Sequence, residues 1–155
     1  MTPAGMNYSR AYEIYLEGIE PRKLVELGVF TGVSMALWCD IYPEAEVIGL
    51  DVDLNRVAWD DLERRGAWQL NTPKLFEWDA FDPKPLEELK GIDVFIDDGP
   101  HVTEAVEKVA EFLKPRMNPG GRFIVEDMDN GADILNRVFP DAEVKRHGKI
   151  ACAFL

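Results

Sequence analysis

The sequence predicts a three-layer, doubly wound α/β domain: a mostly parallel sheet between helices, closed by an antiparallel C-terminal hairpin. Three observations lead there. Strand-like and helix-like segments alternate along the 155 residues, the pattern of a sheet with crossover helices. The run Ile92–Asp97, IDVFID, is almost continuously apolar, as expected of a central parallel strand covered on both faces. Residues 24–34, LVELGVFTGVS, join a short apolar strand to a helix through a turn bracketed by Gly28 and Gly32.

The elements follow in order. Residues 9–19 carry helical apolar spacing (Ala11, Tyr12, Tyr15, Leu16, Ile19) closed by Pro21. A strand over 23–27 leads into a helix over 32–41, and a second strand, 47–51, into a helix over about 54–65. Gly66 and the Asn71–Thr72–Pro73 break precede a short strand over 74–78. After the strand Ile92–Asp97 comes a helix, Thr103–Leu113. The turn Asn118, Pro119, Gly120, Gly121 then opens a strand over 122–125. A helix over 132–139 precedes strands over 143–146 and 150–155, which turn about Gly148 as a hairpin. No repeat or low-complexity segment interrupts the pattern, so residues 1–155 read as one domain.

Composition narrows the function classes. A net charge of −12 and a pI near 4.6, with scattered Lys and Arg, argue against nucleic acid as a partner. Cys39 and Cys152 lie in apolar surroundings and suit buried thiols, with neither a disulfide framework nor zinc spacing. No apolar run has transmembrane length, and the polar start MTPAGMNYSR is unlike a signal peptide. The expectation is a cytoplasmic protein with no membrane partner.

The 24–34 run also suggests a ligand. Glycine is needed where the backbone takes positive φ or lies close to another group, and the first N–H groups of a helix favour a negative charge. Asp51 stands at the tip of the second strand, nineteen residues beyond Gly32. The pair of elements predicts an adenosine-type cofactor across the C-terminal edge of the sheet.

With these residues in place, the chain resembles class I S-adenosylmethionine-dependent methyltransferases. Within them it is similar to the metal-dependent O-methyltransferases of the catechol and macrocin type, often grouped with cephalosporin hydroxylase-like sequences. Three motifs carry the resemblance between about residues 23 and 130: E-L-G-V-F-T-G-V-S from Glu26 to Ser34, I-D-D-G-P-H from Ile96 to His101, and V-E-D-M-D from Val125 to Asp129. The resemblance implies a Rossmann-like methyltransferase fold. It also implies that Glu26, Gly28, Phe30 and Ser34 line the amino-acid end of S-adenosylmethionine, with Gly32 among the cofactor-binding residues. Asp51 would hold the ribose, and Asp79 and Ala80 would lie near the adenine. Asp98, Glu126 and Asp127 would bind magnesium or another divalent cation, a hard-oxygen set suited to that ion. A substrate hydroxyl on the cation becomes more acidic, and His101, three residues after Asp98, would take its proton as general base. The expected acceptor is a small hydroxylated molecule with vicinal oxygens, a sugar diol or a catechol.

Departures accompany the resemblance. Gly99–Pro100 stands where Gly-Ser is usual, and about twenty residues precede the first strand, with Tyr8, Tyr12 and Tyr15 as a remnant cap. Substrate discrimination would then draw on a second subunit, making the protein a homo-oligomer.

Simpler roles stay open for each residue. Gly28 and Gly32 can serve tight strand–helix packing or a nicotinamide-binding fold, although Phe30 occupies the position of a dinucleotide fingerprint's second glycine. Asp51 can cap the following helix. Asp97 suits a structural acid better than a ligand. Asp98 can be a turn acid before Gly99–Pro100, His101 a capping group, and Glu126 and Asp127 solvated acids. Asp129 suits a loop acid and His147 an exposed strand residue. Trp38, Trp59, Trp68 and Trp78 suit core. Two other functions therefore stand beside methyl transfer: a non-catalytic S-adenosylmethionine-binding module and an NAD-dependent oxidoreductase. With His101 and His147 as the two histidines, a 2-His-1-carboxylate iron site finds no support.

Overall fold

The computed structural model describes residues 8–155; the segment 1–7, which holds most of the polar start, lies outside them. Seven strands form one sheet: β1 Lys23–Leu27, β2 Glu46–Asp51, β3 Lys74–Glu77, β4 Ile92–Asp97, β5 Met117–Val125, β6 Glu143–His147 and β7 Ile150–Phe154. Their order is β3-β2-β1-β4-β5-β7-β6. The first five pair in parallel, while β7 is antiparallel to both β5 and β6. The doubly wound expectation with its terminal hairpin holds. The chain reverses direction across the sheet at β1 and β4, and ligands of such sheets bind at that point.

Five helices cover the faces: α1 Tyr8–Tyr15, α2 Val33–Ile41, α3 Trp59–Arg64, α4 Thr103–Leu113 and α5 Gly131–Val138. Side chains alternate along a strand, so β1 feeds both cores. Leu24 packs in the cluster shared with Ala11, Tyr15, Met35 and Trp38 of α1 and α2. Val25 and Leu27 pack with Ala105, Val109 and Leu113 of α4 and Ile134 and Leu135 of α5. Glu26 falls on the α2 side and is 2% exposed; among the described residues the other buried charged residue is Asp97 of β4.

Three elements depart from the sequence reading. The helix expected over 54–65 is broken into a 3₁₀ turn, Leu54–Arg56, and α3. Val57 between them is extended (φ −66°, ψ 121°), and its side chain is buried under the start of α2. The β5 strand begins at Met117, so the Asn118–Gly121 quartet lies within it as an irregularity between the pairs Ile92–Met117 and Val94–Arg122. Proline and glycine are tolerated where such a bulge interrupts the ladder. Helix α1 stops at Tyr15 rather than Ile19, and Gly18 takes φ 72° just beyond.

Parallel pairing continues one rung past the strands. The N–H of Gly28 donates to the Leu50 carbonyl at 2.8 Å, that of Asp98 to Leu27 at 2.9 Å, and that of Glu126 to Asp97 at 2.9 Å. Asp51, Gly28, Asp98 and Glu126 are thereby set side by side along the C-terminal edge.

Candidate functional site

Two cavities open at that edge and share Asp98 as a wall. One, of about 620 Å3, is lined by Gly28, Phe30, Asp51, Trp78, Asp79, Ala80 and His101 among others. The other, of about 600 Å3, lies between α1 and α2 and is lined by Tyr8, Tyr12, Glu26, Ser34, Trp38, Leu37 and Glu126 among others. Both sizes suit small-molecule sites.

In the first cavity, Asp51 is held by the turn it helps to form. Its Oδ2 accepts from the Phe30 N–H at 2.9 Å and its Oδ1 from the Asp53 N–H at 3.0 Å. Asp53, not Asp51, caps the 3₁₀ turn through Asn55 N–H at 3.1 Å, which removes the capping explanation for Asp51. A carboxylate oxygen accepts more than one hydrogen bond, so Asp51 retains capacity for a vicinal diol. Phe30 is exposed with φ 47° and lies 5.1 Å from the Arg56 guanidinium. Asp79 accepts from the Phe81 N–H at 2.8 Å, while the buried Ala80 and Trp78 supply apolar wall.

The two glycines do different work. At Gly28 (φ 101°) an added Cβ would stand 2.0 Å from the Asp98 carbonyl oxygen, so this position packs one strand tip against the next and lines the cavity as well. At Gly32 (φ 85°), just before α2, a Cβ would press on Val57 and Leu62 at 3.0 and 3.2 Å. Its constraint comes from packing against the segment that follows β2.

In the second cavity, Glu26 accepts from the Ser34 hydroxyl and the Trp38 indole N–H. Burial pushes its carboxyl up to about 8, against the pull of those two donors. Trp38 is core, as expected, yet its polar edge faces the site; no spacing rule links an indole to an acid twelve residues before it. Trp59, by contrast, is 39% exposed, against the expectation of a core position. Its ring pairs with that of Trp68 at 5.2 Å, centroid to centroid, away from both cavities.

The carboxylates expected to form a cation site are gathered in part. Asp98, His101 and Asp127 place ligand atoms within 4.8 Å of one another. The Nε2 of His101 lies 3.7 Å from Asp98 Oδ1. Glu126, also at the β5 tip, accepts from the Tyr12 hydroxyl, and Asp127 from that of Tyr8. Burial raises Asp98 to about 6, with Asp127 adding repulsion and His101 opposing. Burial likewise raises Glu126 to about 7, with Asp98 and Asp127 adding to it. The site thus crowds negative groups that a cation would relieve. His101 (φ 54°) and Asp127 (φ 52°) both hold left-handed backbone conformations. Such non-glycine geometry costs about 1–3 kcal/mol and gathers at functional sites. Hard oxygens on adjacent strand tips, with an imidazole beside them, fit a divalent cation.

Asp97, expected as a structural acid, lies outside the Asp98, His101 and Asp127 group. It is 1% exposed, its Oδ1 accepts from the Gly99 N–H at 3.2 Å, its Oδ2 has no partner, and burial lifts it to about 6. His147 is exposed, with Nδ1 3.0 Å from the Tyr15 hydroxyl.

A doubly wound sheet with an acid at the β2 tip and further acids at the β4 and β5 tips defines a Rossmann-like methyltransferase architecture. The chain belongs to the methyltransferase domain family, whose model matches residues 25–128. It is similar to the 8-demethyl-8-alpha-L-rhamnosyl tetracenomycin-C 2'-O-methyltransferase of Streptomyces olivaceus, at 31% identity over 78% of this chain and 33% of the relative. It is also similar to the demethylmacrocin O-methyltransferase of Streptomyces fradiae, at 26% identity over 79% of this chain and 31% of the relative. The chain therefore spans about a third of the length of these curated relatives. A solved methyltransferase of the mycinamycin biosynthetic pathway, in complex with Mg and SAH, shares the fold. It superposes with a TM-score of 0.65 at 22% identity, over 95% of this chain and 48% of that one. The sequence resemblance to macrocin-type enzymes agrees with these matches. Among the described residues, no helix is long and apolar enough to cross a membrane.

Proposed function

We propose that the protein is an S-adenosylmethionine-dependent O-methyltransferase whose acceptor is a sugar hydroxyl on a larger natural product, assisted by a divalent cation. One observation carries the reading: the Asp98, His101 and Asp127 cluster adjoins the Asp51 cavity directly, with Asp98 in the wall of both cavities. The name of the Streptomyces olivaceus relative, a 2'-O-methyltransferase of a rhamnosyl tetracenomycin, supports the acceptor class.

The residues divide the work. Asp51 holds the ribose diol, with Asp79 and Ala80 near the adenine. Glu26, Gly28, Phe30 and Ser34 face the amino-acid end, and Gly32 sets the start of α2. Asp98, Asp127 and Glu126 would hold the cation, which would make an acceptor hydroxyl more acidic. His101, beside Asp98, receives the hydroxyl proton at Nε2. The bound cofactor supplies an activated methyl group, and the enzyme's share is to align that group with the acceptor oxygen and exclude water.

Calorimetric titration with S-adenosylmethionine, in excess magnesium and again in EDTA, tests the reading together with a transfer assay on glycoside acceptors. Cofactor binding and cation-dependent transfer are expected. Cofactor binding without transfer to any diol would instead favour a silent binding module. The nicotinamide alternative loses its ground with the family assignment.

A further inference from the structure

The acids at the β5 tip are already engaged. Tyr12 donates to Glu126 and Tyr8 to Asp127, and both tyrosines come from α1. The two ends of α1 are fastened differently. At its C-terminal end Tyr15 is fully buried, its hydroxyl is 3.2 Å from the Ile150 carbonyl, and its own carbonyl accepts from Arg122 Nε at 2.9 Å. The other end meets the sheet edge through the two hydroxyls and a tilted contact of the Tyr12 ring with Trp38, 5.3 Å between centroids. Glu126 is the one acid of the expected set that does not converge with the rest: ligand atoms of Asp98, His101 and Asp127 meet, and Glu126 stays with Tyr12.

We propose that Tyr12 is a positioning residue that withholds Glu126 from the cation while α1 is docked. Release of the Tyr12 hydroxyl lets Glu126 join Asp98 and Asp127. Cation binding and α1 docking thereby oppose one another, and by linkage each weakens the other by the same factor. The inference rests on the cation reading above. It adds that the cover over the site and the ligand set are one equilibrium, set by a hydroxyl 114 residues away from its acid.

The test titrates Mn2+ into wild-type, Tyr12→Phe, Glu126→Gln, the double variant and Asp98→Asn. Phenylalanine keeps the ring on Trp38, and thermal melting checks the fold. Adding one carboxylate to such a shell should tighten binding by about tenfold in Tyr12→Phe. The gain should depend on the released acid: Tyr12→Phe should tighten binding when Glu126 is present and should not do so in the Glu126→Gln background, a coupling that double-mutant cycles isolate. In the unmodified protein, Mn2+ should speed hydrogen exchange in α1, a readout that needs no substitution.

Equal or weaker binding in Tyr12→Phe, or α1 exchange indifferent to Mn2+, overturns the proposal. If wild-type binds and Asp98→Asn does not, that failure touches Tyr12 alone. Absence of binding in every protein overturns both this inference and the cation reading.

Discussion

The carbonyl of Asp98 occupies the space into which a side chain on Gly28 would grow: an ideal Cβ there lies 2.0 Å from that oxygen. At this point the β1 and β4 tips meet backbone to backbone. Gly28→Ala is expected to destabilise the fold by about 1–3 kcal/mol through overpacking and to weaken S-adenosylmethionine binding as the Asp98 loop shifts. Thermal melting and calorimetry read the two effects. A variant with unchanged melting and affinity would show that the tips are free to separate.

Asp51 links the β2 tip to the Phe30 turn by accepting the Phe30 N–H, and braces its own loop by accepting the Asp53 N–H. Asp51→Ala should weaken cofactor binding by about tenfold or more, since hydrogen bonds to a charged group are worth about 1.5–3 kcal/mol. No core cavity is made, so melting should fall little. Unchanged affinity in calorimetry would remove Asp51 from the ribose role.

Glu26 gives the stability a defined pH dependence. Its folded carboxyl is raised from 4.5 to about 8, so the folded state takes up a proton that the unfolded chain releases above pH 4.5. The stabilisation is complete below pH 4.5 and is lost as pH climbs toward 8, at roughly 1 kcal/mol per pH unit for one proton. Asp98 and Glu126 shift in the same direction and add to the slope. Glu26→Gln keeps an acceptor for Trp38 and should flatten, without abolishing, the decline in melting temperature between pH 5 and 9. The variant should be the more stable protein at pH 9; a profile parallel to wild-type would mean that Glu26 is ionised in the fold.

His101→Ala should slow methyl transfer by about 10²–10⁴-fold if the imidazole is the general base, with cofactor affinity retained. Mn2+ titration of the same variant separates its two geometric options. Retained cation affinity marks a base, whereas a matching loss of affinity marks a ligand of the Asp98–Asp127 group.

Much of the scaffold was legible because it is local. The IDVFID run and the alternation along β1 follow from burial on one or both sheet faces. The acids at positions 51, 98, 126 and 127 follow because strands end where apolar runs end. What the sequence hid is held by distant partners. Val57 interrupts a helical pattern to fill the space under Gly32, and the Asn118–Gly121 quartet looks like a turn until Leu155 pairs with it, its carbonyl taking the Gly120 N–H at 2.7 Å. Positive φ at Phe30, His101 and Asp127 has no compositional signature, since none of these positions is glycine. The tyrosines of α1 were recognisable as a cap, but not as donors to particular acids.

The extra rung of pairing beyond β1, β4 and β5 separates two kinds of variation. Gly28, Asp98 and Glu126 inherit their spacing from the ladder, in the same way that teeth inherit theirs from a jaw. The segments that follow them are released from keeping that spacing. A change of length or sequence in those loops therefore leaves Gly28, Asp98 and Glu126 at their stations.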